Sequence, residues 1–211
     1  MKSGAYLATA ALTLGAASTV SADVTTNVGW ASDYIFRGIL QDDSSAFAGI
    51  DYTSGGFYAG TWAADVTQGA EVDLYLGYSG AAGDFGYTVG ATGYFYTDDF
   101  DDTYKEINLG LTYGIASFDV AVGEYDNFSG PTQDYTFYSL TLSKGGFYGL
   151  VGSFGEDFNG EYVEAGYGFN VSGLDLGFSV VHSTEDLVGD DDTSLILTIS
   201  KTFDLGGSDT P

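Results

Sequence analysis

The sequence predicts an all-β protein: a transmembrane, up-and-down antiparallel β-barrel of about twelve strands, with ten or fourteen as the neighbouring alternatives. Three observations predict it. Apolar and polar residues alternate with period two through most of the chain, and no stretch carries a 3.6-residue period. Glycine (32 residues) and aromatics (16%) are abundant, whereas there are two prolines and no cysteine. After residue 22 no apolar run approaches the ~20 residues of a membrane helix, so a chain of this kind enters lipid as a closed barrel, which leaves no backbone group unpaired.

The elements follow in order. MKSGAYLATAALTLGAASTVSAD opens the chain. Lys2, the small apolar residues 5–17 and Val20-Ser21-Ala22 are the parts of a cleavable export signal. Residues 1–22 are therefore read as a signal peptide and 23–211 as the barrel, with strands over 24–203 and a short tail at 204–211. A membrane anchor is the alternative, but the run is too short to span a bilayer. Twelve alternating segments follow at 24–40, 45–52, 57–64, 71–79, 85–97, 104–114, 117–126, 135–143, 147–154, 161–170, 174–183 and 193–203. In 104–114, for example, Ile107, Leu109, Leu111 and Tyr113 alternate with Glu106, Asn108, Gly110 and Thr112.

A soluble β-sandwich also alternates, so the connections decide. The odd ones (QDDS, DVTQGA, TDDFDD, DNFSGPTQD, GEDFNG, TEDLVGDDD) are mostly long and hold more than half of the acidic residues. The even ones (TSGG, SGAAGD, GIAS, SKGG, NVSG) are short and glycine-rich. Sorting of this kind puts the long loops at one end, as in outer-membrane barrels; a Greek-key sandwich has no reason to sort its loops so. Aromatics near segment ends, including Trp30, Tyr34, Tyr94 and Tyr135, fit interfacial girdles. With the first strand starting at about Val24, no plug domain is expected.

The net charge of −25 argues against nucleic acid as a partner, because phosphate binding needs clustered lysine and arginine. No phosphate loop, nucleophile elbow, dinucleotide fingerprint or His/Cys metal cluster is present. No cofactor and no catalytic residue is therefore expected. The one histidine, His182, sits beside Ser183, and adjacent strand residues point to opposite faces. The clusters DDFDD (98–102) and GDDD (189–192) offer oxygens to Ca²⁺ or Mg²⁺, but their spacing is irregular and a solvated acidic surface explains them better.

Assigning the apolar parity to lipid leaves Asp33, Arg37, Glu71, Asp73, Glu106, Asp119, Glu164 and Asp175 facing inward as pore-lining candidates, with Val28, Trp30, Tyr34 and Phe36 outward. Segments 57–64 and 147–154 have no clear parity. Arg37 facing lipid would cost about 2–4 kcal/mol near the midplane. Asp33 lies about 13 Å from it along the strand, so a carboxylate on a neighbouring strand is the expected partner. Many of the remaining inward positions are Gly, Ser, Thr or Asn, small enough to leave a narrow wet passage.

The stretches NVGWASDYIFRGIL (27–40), GIDYTSGGFYAGTWAADV (49–66), EVDLYLGYSG (71–80), YKEINLGLTYG (104–114) and SKTF (200–203) resemble the Gcw_chp family, whose members carry the label of TorF-family porins. SDYIFRGI (32–39) is the most specific piece. The resemblance implies an outer-membrane barrel with pore activity and no catalytic residues. Such barrels usually end on an aromatic residue, whereas here Phe203 is followed by DLGGSDTP. The expected function is a passive, cation-preferring pore for ions or small polar solutes in the outer membrane of a Gram-negative cell, reached after export. Its expected partners are outer-membrane lipid, lipopolysaccharide and the barrel assembly machinery. The alternative is a non-conducting structural or surface-interaction barrel with acidic outer loops.

Overall fold

The computed structural model describes residues 22–206. The expected signal peptide, save Ala22, and the last five tail residues lie outside the described residues. Twelve strands form one closed antiparallel barrel in strict up-and-down order, with β1 hydrogen-bonded to both β2 and β12. They are β1 (Asp23–Phe36), β2 (Ile39–Ser54), β3 (Phe57–Asp65), β4 (Ala70–Ala82), β5 (Phe85–Tyr96), β6 (Tyr104–Tyr113), β7 (Ala116–Tyr125), β8 (Gln133–Lys144), β9 (Phe147–Glu156), β10 (Glu161–Val171), β11 (Leu174–Ser183) and β12 (Asp192–Asp204). A single helical turn, α1 (Glu185–Val188), interrupts the last long loop.

The outer wall is built for hydrocarbon. Leu76, Leu109 and Leu195 are 63%, 51% and 76% exposed, an arrangement that is stable only where lipid covers them. At the short-turn end, cross-strand aromatic pairs form a belt. Phe57 meets Tyr78, Phe85 stacks on Tyr113, and Phe147 meets Tyr167, with ring centroids 5.0, 4.7 and 4.4 Å apart. Each such pair contributes about 0.5–1.5 kcal/mol beyond its area.

All five even connections are two-residue turns, and three of them need positive φ at both positions, the demand of a twist-matched hairpin. Gly55-Gly56 has φ of 58° and 91°, Gly145-Gly146 has 62° and 89°, and Ser172-Gly173 has 54° and 84°. Every odd connection but the first is longer, and all of these except residues 66–69 carry acids.

The first odd connection corrects the sequence reading. The turn is Arg37-Gly38 (φ 49° and 84°), and Gln41–Ser44 lies inside β2. Asp42 and Asp43 pair with Tyr34 and Asp33 of β1. Their acidity suggested a loop because acids do not face lipid, but this hairpin outgrows its neighbour. The pairing of β1 with β12 stops at Ala31–Thr198, five residues before β1 ends. Beyond it the Ser32 hydroxyl accepts the Leu197 N–H (2.9 Å), the β1–β2 register shifts between Tyr34 and Ile35, and the hairpin tip turns into the barrel mouth.

The inner wall is recessed at its glycines. A Cβ on Gly77 or Gly90 would stand 2.3 or 2.2 Å from the Tyr58 hydroxyl, and one on Gly152 would stand 2.3 Å from the Tyr162 ring. Phe47 over Gly29, Tyr75 over Gly60, Tyr135 over Gly123 and Tyr148 over Gly166 repeat the arrangement. These seven glycines are therefore seats for aromatic rings lying along the wall. The sequence reading left two uses for inward glycine, space for a narrow passage or freedom for the sheet to curve, and did not foresee ring seats.

Candidate functional site

Arg37 is held by its turn, not by a strand face. Its positive φ is uncommon for a residue with a side chain, and Gly38 beside it has no room for one: a Cβ there would meet Tyr162 and Leu187 at 2.8 Å. The guanidinium reaches across the lumen to β6, five strands around the wall. Nη1 and Nη2 donate to the two carboxylate oxygens of Glu106 at 2.9 and 2.8 Å, a bidentate pair. Arg37 is 5% exposed and Glu106 4%. The same carboxylate accepts the hydroxyls of Tyr94 (2.7 Å) and Tyr135 (2.8 Å) and the side-chain amide of Asn108 (2.6 Å). The rings of Phe36 and Phe137 lie 4.8 and 4.3 Å from the guanidinium carbon, so cation–π attraction replaces part of its lost hydration. Among the described residues Arg37 is the one buried cation; Lys105 pairs with Asp126 at an exposed site (2.7 Å).

The tip meets protein on both faces. On one, the Tyr34 hydroxyl donates to Glu71 Oε1 (2.6 Å), and its ring packs edge-on to Trp62 (5.5 Å). Phe36 packs on Tyr94 (5.3 Å). On the other, Ile35 and Leu187 join an apolar cluster of Ala121, Phe137, Leu150, Tyr162, Val181 and Ile196. Tyr34 and Phe36 thus point inward, against the outward assignment. The inward face switches between Ala31 and Tyr34, where β1 leaves β12. Tyr94 and Tyr135, assigned to an interfacial girdle, are likewise buried on Glu106.

The mouth is lined by aromatics from the outer ends of β6, β7 and β8 and from the loop after β9. Tyr104 stacks on Tyr125 (4.3 Å), Tyr135 stacks on Phe158 (5.1 Å), and Asp101 accepts both the Tyr104 and Tyr125 hydroxyls (2.9 and 2.7 Å). Asp102 takes the Thr103 and Phe128 backbone N–H groups. In the last loop Asp191 accepts the Glu185 N–H (2.7 Å). Several loop acids are thus tied to their own loops. No group of three or more metal-ligating side chains occurs among the described residues.

Of the eight candidates, four converge. Arg37, Glu106, Glu71 and Asp73 meet at the outer end, with Glu71 fully buried and Asp73 nearly so. The others spread along the wall. Glu164 accepts the Tyr148 hydroxyl. Asp119 lies against Gly110, where a Cβ would stand 2.8 Å from its Oδ1. Asp175 accepts the Asn170 amide at the short-turn rim (2.9 Å). Asp33 accepts the Ser32 hydroxyl (2.9 Å) and makes no described bond to Arg37. His182 bonds Thr193 at an exposed position (2.9 Å), while Ser183 points inward to the Gly38 carbonyl, so the two do not act on one face.

Sequence reasoning missed Tyr58, Trp62, Tyr148, Leu150 and Phe154. They lie on β3 and β9, where both faces are apolar and alternation carries no sign. It also missed Tyr94, Tyr135 and Phe137 around the ion pair, because a period of two tells faces apart but not depth or distance across a barrel.

A known structure shares the fold. One chain, solved in work on the mechanism behind in-meso crystallization of membrane proteins, superposes with a TM-score of 0.58 at 9% identity, covering 89% of this chain and 86% of that one. Pseudomonas aeruginosa OccK2 (OpdF) in complex with glucuronate gives 0.43 at 13% identity, over 86% of this chain and 66% of that one. A BenF-like porin from Pseudomonas fluorescens Pf-5 gives 0.42 at 12%, over 86% and 64%. No curated protein matches the sequence. The model of the bacterial family of unknown function Gcw_chp matches residues 15–178, most of the chain, and the chain therefore belongs to the Gcw_chp family.

Proposed function

We propose that the protein is a porin-like channel of the outer membrane that passes small cations, and that the first hairpin shuts it at rest. The observation that carries this reading is the charge of the interior. Glu71, Asp73, Glu106, Asp119 and Glu164 stand on the inner wall with Arg37 as the one buried cation among the described residues. Like charge in a narrow, low-dielectric passage concentrates counter-ions. The short-turn half of the wall is mostly small and polar, with Thr88, Asn108, Gly110, Ser179 and Thr198 on inward positions. The outer half holds the tip and the apolar cluster, so permeation requires the tip to move.

The apolar cluster favours a second reading, a non-conducting barrel whose mouth is a fixed surface. Both readings are non-enzymatic. Both place the chain in lipid and lipopolysaccharide after export and delivery by the barrel assembly machinery. Single-channel recording on refolded protein separates them. Discrete steps with a cation-directed reversal potential in a salt gradient support the channel. Verified insertion without steps at any voltage supports the fixed barrel, and anion selectivity contradicts the charge argument.

A further inference from the structure

Glu71 and Asp73 stand two positions apart on the inner face of β4, each within the other's field. Tyr34 donates to Glu71 Oε1, and the Tyr96 hydroxyl lies beside the same carboxylate. Glu71 Oε2 and Asp73 Oδ1 are nonetheless fully buried and take no hydrogen bond from any other residue described, the two carboxyls lying within hydrogen-bond reach of each other. Glu71 is 0% exposed. The nearby guanidinium acts on Asp73 only through its field, because both its Nη groups are committed to Glu106. Buried carboxylate oxygens without a donor or counter-charge are costly, and native proteins rarely leave them so.

We propose that Glu71 and Asp73 form an internal site for a hard divalent cation, with Ca²⁺ as the fitting ion. The chemistry matches on three counts. The donors are all oxygen, which suits Ca²⁺ and disfavours soft metals. The pair carries two negative charges beyond those that Arg37 and Glu106 cancel between themselves, so a dication neutralises it. Two carboxylates leave most of a six- to eight-oxygen shell to water, as weaker calcium sites do. Its place is also apt: Tyr34 ties the site to the hairpin tip, and the acidic loops above raise the local cation concentration. A bound ion would hold Glu71, and through Tyr34 the tip, in place.

The site does not depend on conduction, so its test is a binding measurement. The full chain, refolded in detergent micelles and freed of metal with a chelator, is titrated with Ca²⁺ calorimetrically at high potassium chloride, which screens the exposed loop carboxylates. One saturable site per chain is expected. Glu71→Gln and Asp73→Asn should each weaken it roughly tenfold or more, at least the lower end of the loss seen when a mere supporting group of a metal ligand is removed. Asp190→Asn, in an exposed loop, should bind as wild type does. Tyr34→Phe keeps the carboxylates and frees Glu71 Oε1, so it should retain the site. It keeps the test decisive if a carboxylate variant does not fold. Absence of a site in the wild type, a site indifferent to both carboxylate changes, or equal loss in Asp190→Asn would each overturn the proposal. The first would mean that a proton alone relieves the pair.

Discussion

The Ser183 hydroxyl donates to the Gly38 carbonyl at 2.6 Å, fastening the end of β11 to the tip of a hairpin 145 residues away in the chain. Together with the Arg37–Glu106 pair on the opposite wall, it pins the Arg37-Gly38 turn from two sides of the barrel. A carbonyl at a turn inside a protein has no water to fall back on, so this one side chain decides whether the Gly38 acceptor is met.

Ser183→Ala should therefore cost about 1–3 kcal/mol, the scale of leaving a buried acceptor unmet. Urea unfolding of the barrel in lipid vesicles measures it. If the barrel conducts, the same variant should open more often in single-channel records. Unchanged stability together with unchanged opening would show that the Ser183 bond does not help to hold the tip.

Removing both members of the cross-lumen pair should cost less than the sum of removing each. Arg37→Ala or Glu106→Gln alone is expected to cost about 3–5 kcal/mol, because the partner is left charged and buried. The double variant should cost less than the two single losses added together, giving a clear interaction energy in a double-mutant cycle. In a conducting barrel Arg37→Ala should also shift the reversal potential further toward cations, since the interior loses its one described buried cation.

The glycine seats give a test that needs no channel activity. In Gly152→Ala the new methyl would stand 2.3 Å from the Tyr162 ring, whereas at Gly155 on the same strand nothing lies within 4 Å. Overpacking of this kind costs about 1–3 kcal/mol, so Gly152→Ala should unfold at lower urea than wild type. Gly155→Ala should stay within about 0.5 kcal/mol of it. Equal behaviour of the two would remove the ring-over-glycine account of the inner wall.

Orientation is tested with single cysteines at Asp190, in the longest acidic connection, and Asp84, in a two-residue turn. On intact cells an impermeant thiol reagent should label position 190 and spare position 84. The reverse pattern would invert the barrel. Amino-terminal sequencing of the membrane-bound protein should begin at Asp23; recovery in the soluble periplasmic fraction would contradict the membrane assignment.

The sequence by itself determined the barrel. Period-two alternation in segments such as 104–114, glycine turns such as Gly145-Gly146 and acids sorted into alternate connections are local signals. An antiparallel meander converts them directly into strands, turns and loop ends, which is why twelve strands and most of their faces were legible. The inward parity of Glu71, Asp73 and Glu106 was legible for the same reason. Tertiary structure alone decided the centre of the site. Arg37 meets Glu106 across the lumen, a distance set by closure of the sheet and by the overlength β1–β2 hairpin folding inward, and neither leaves a trace in local periodicity. Residues Gln41–Ser44 look like a loop because strands facing lipid exclude acids, a rule that lapses where a hairpin rises beyond its neighbour. Tyr34 looks lipid-facing because parity is counted along an unbroken pleat, and only the structure shows β1 leaving β12 after Ala31 and the Tyr34 hydroxyl meeting Glu71.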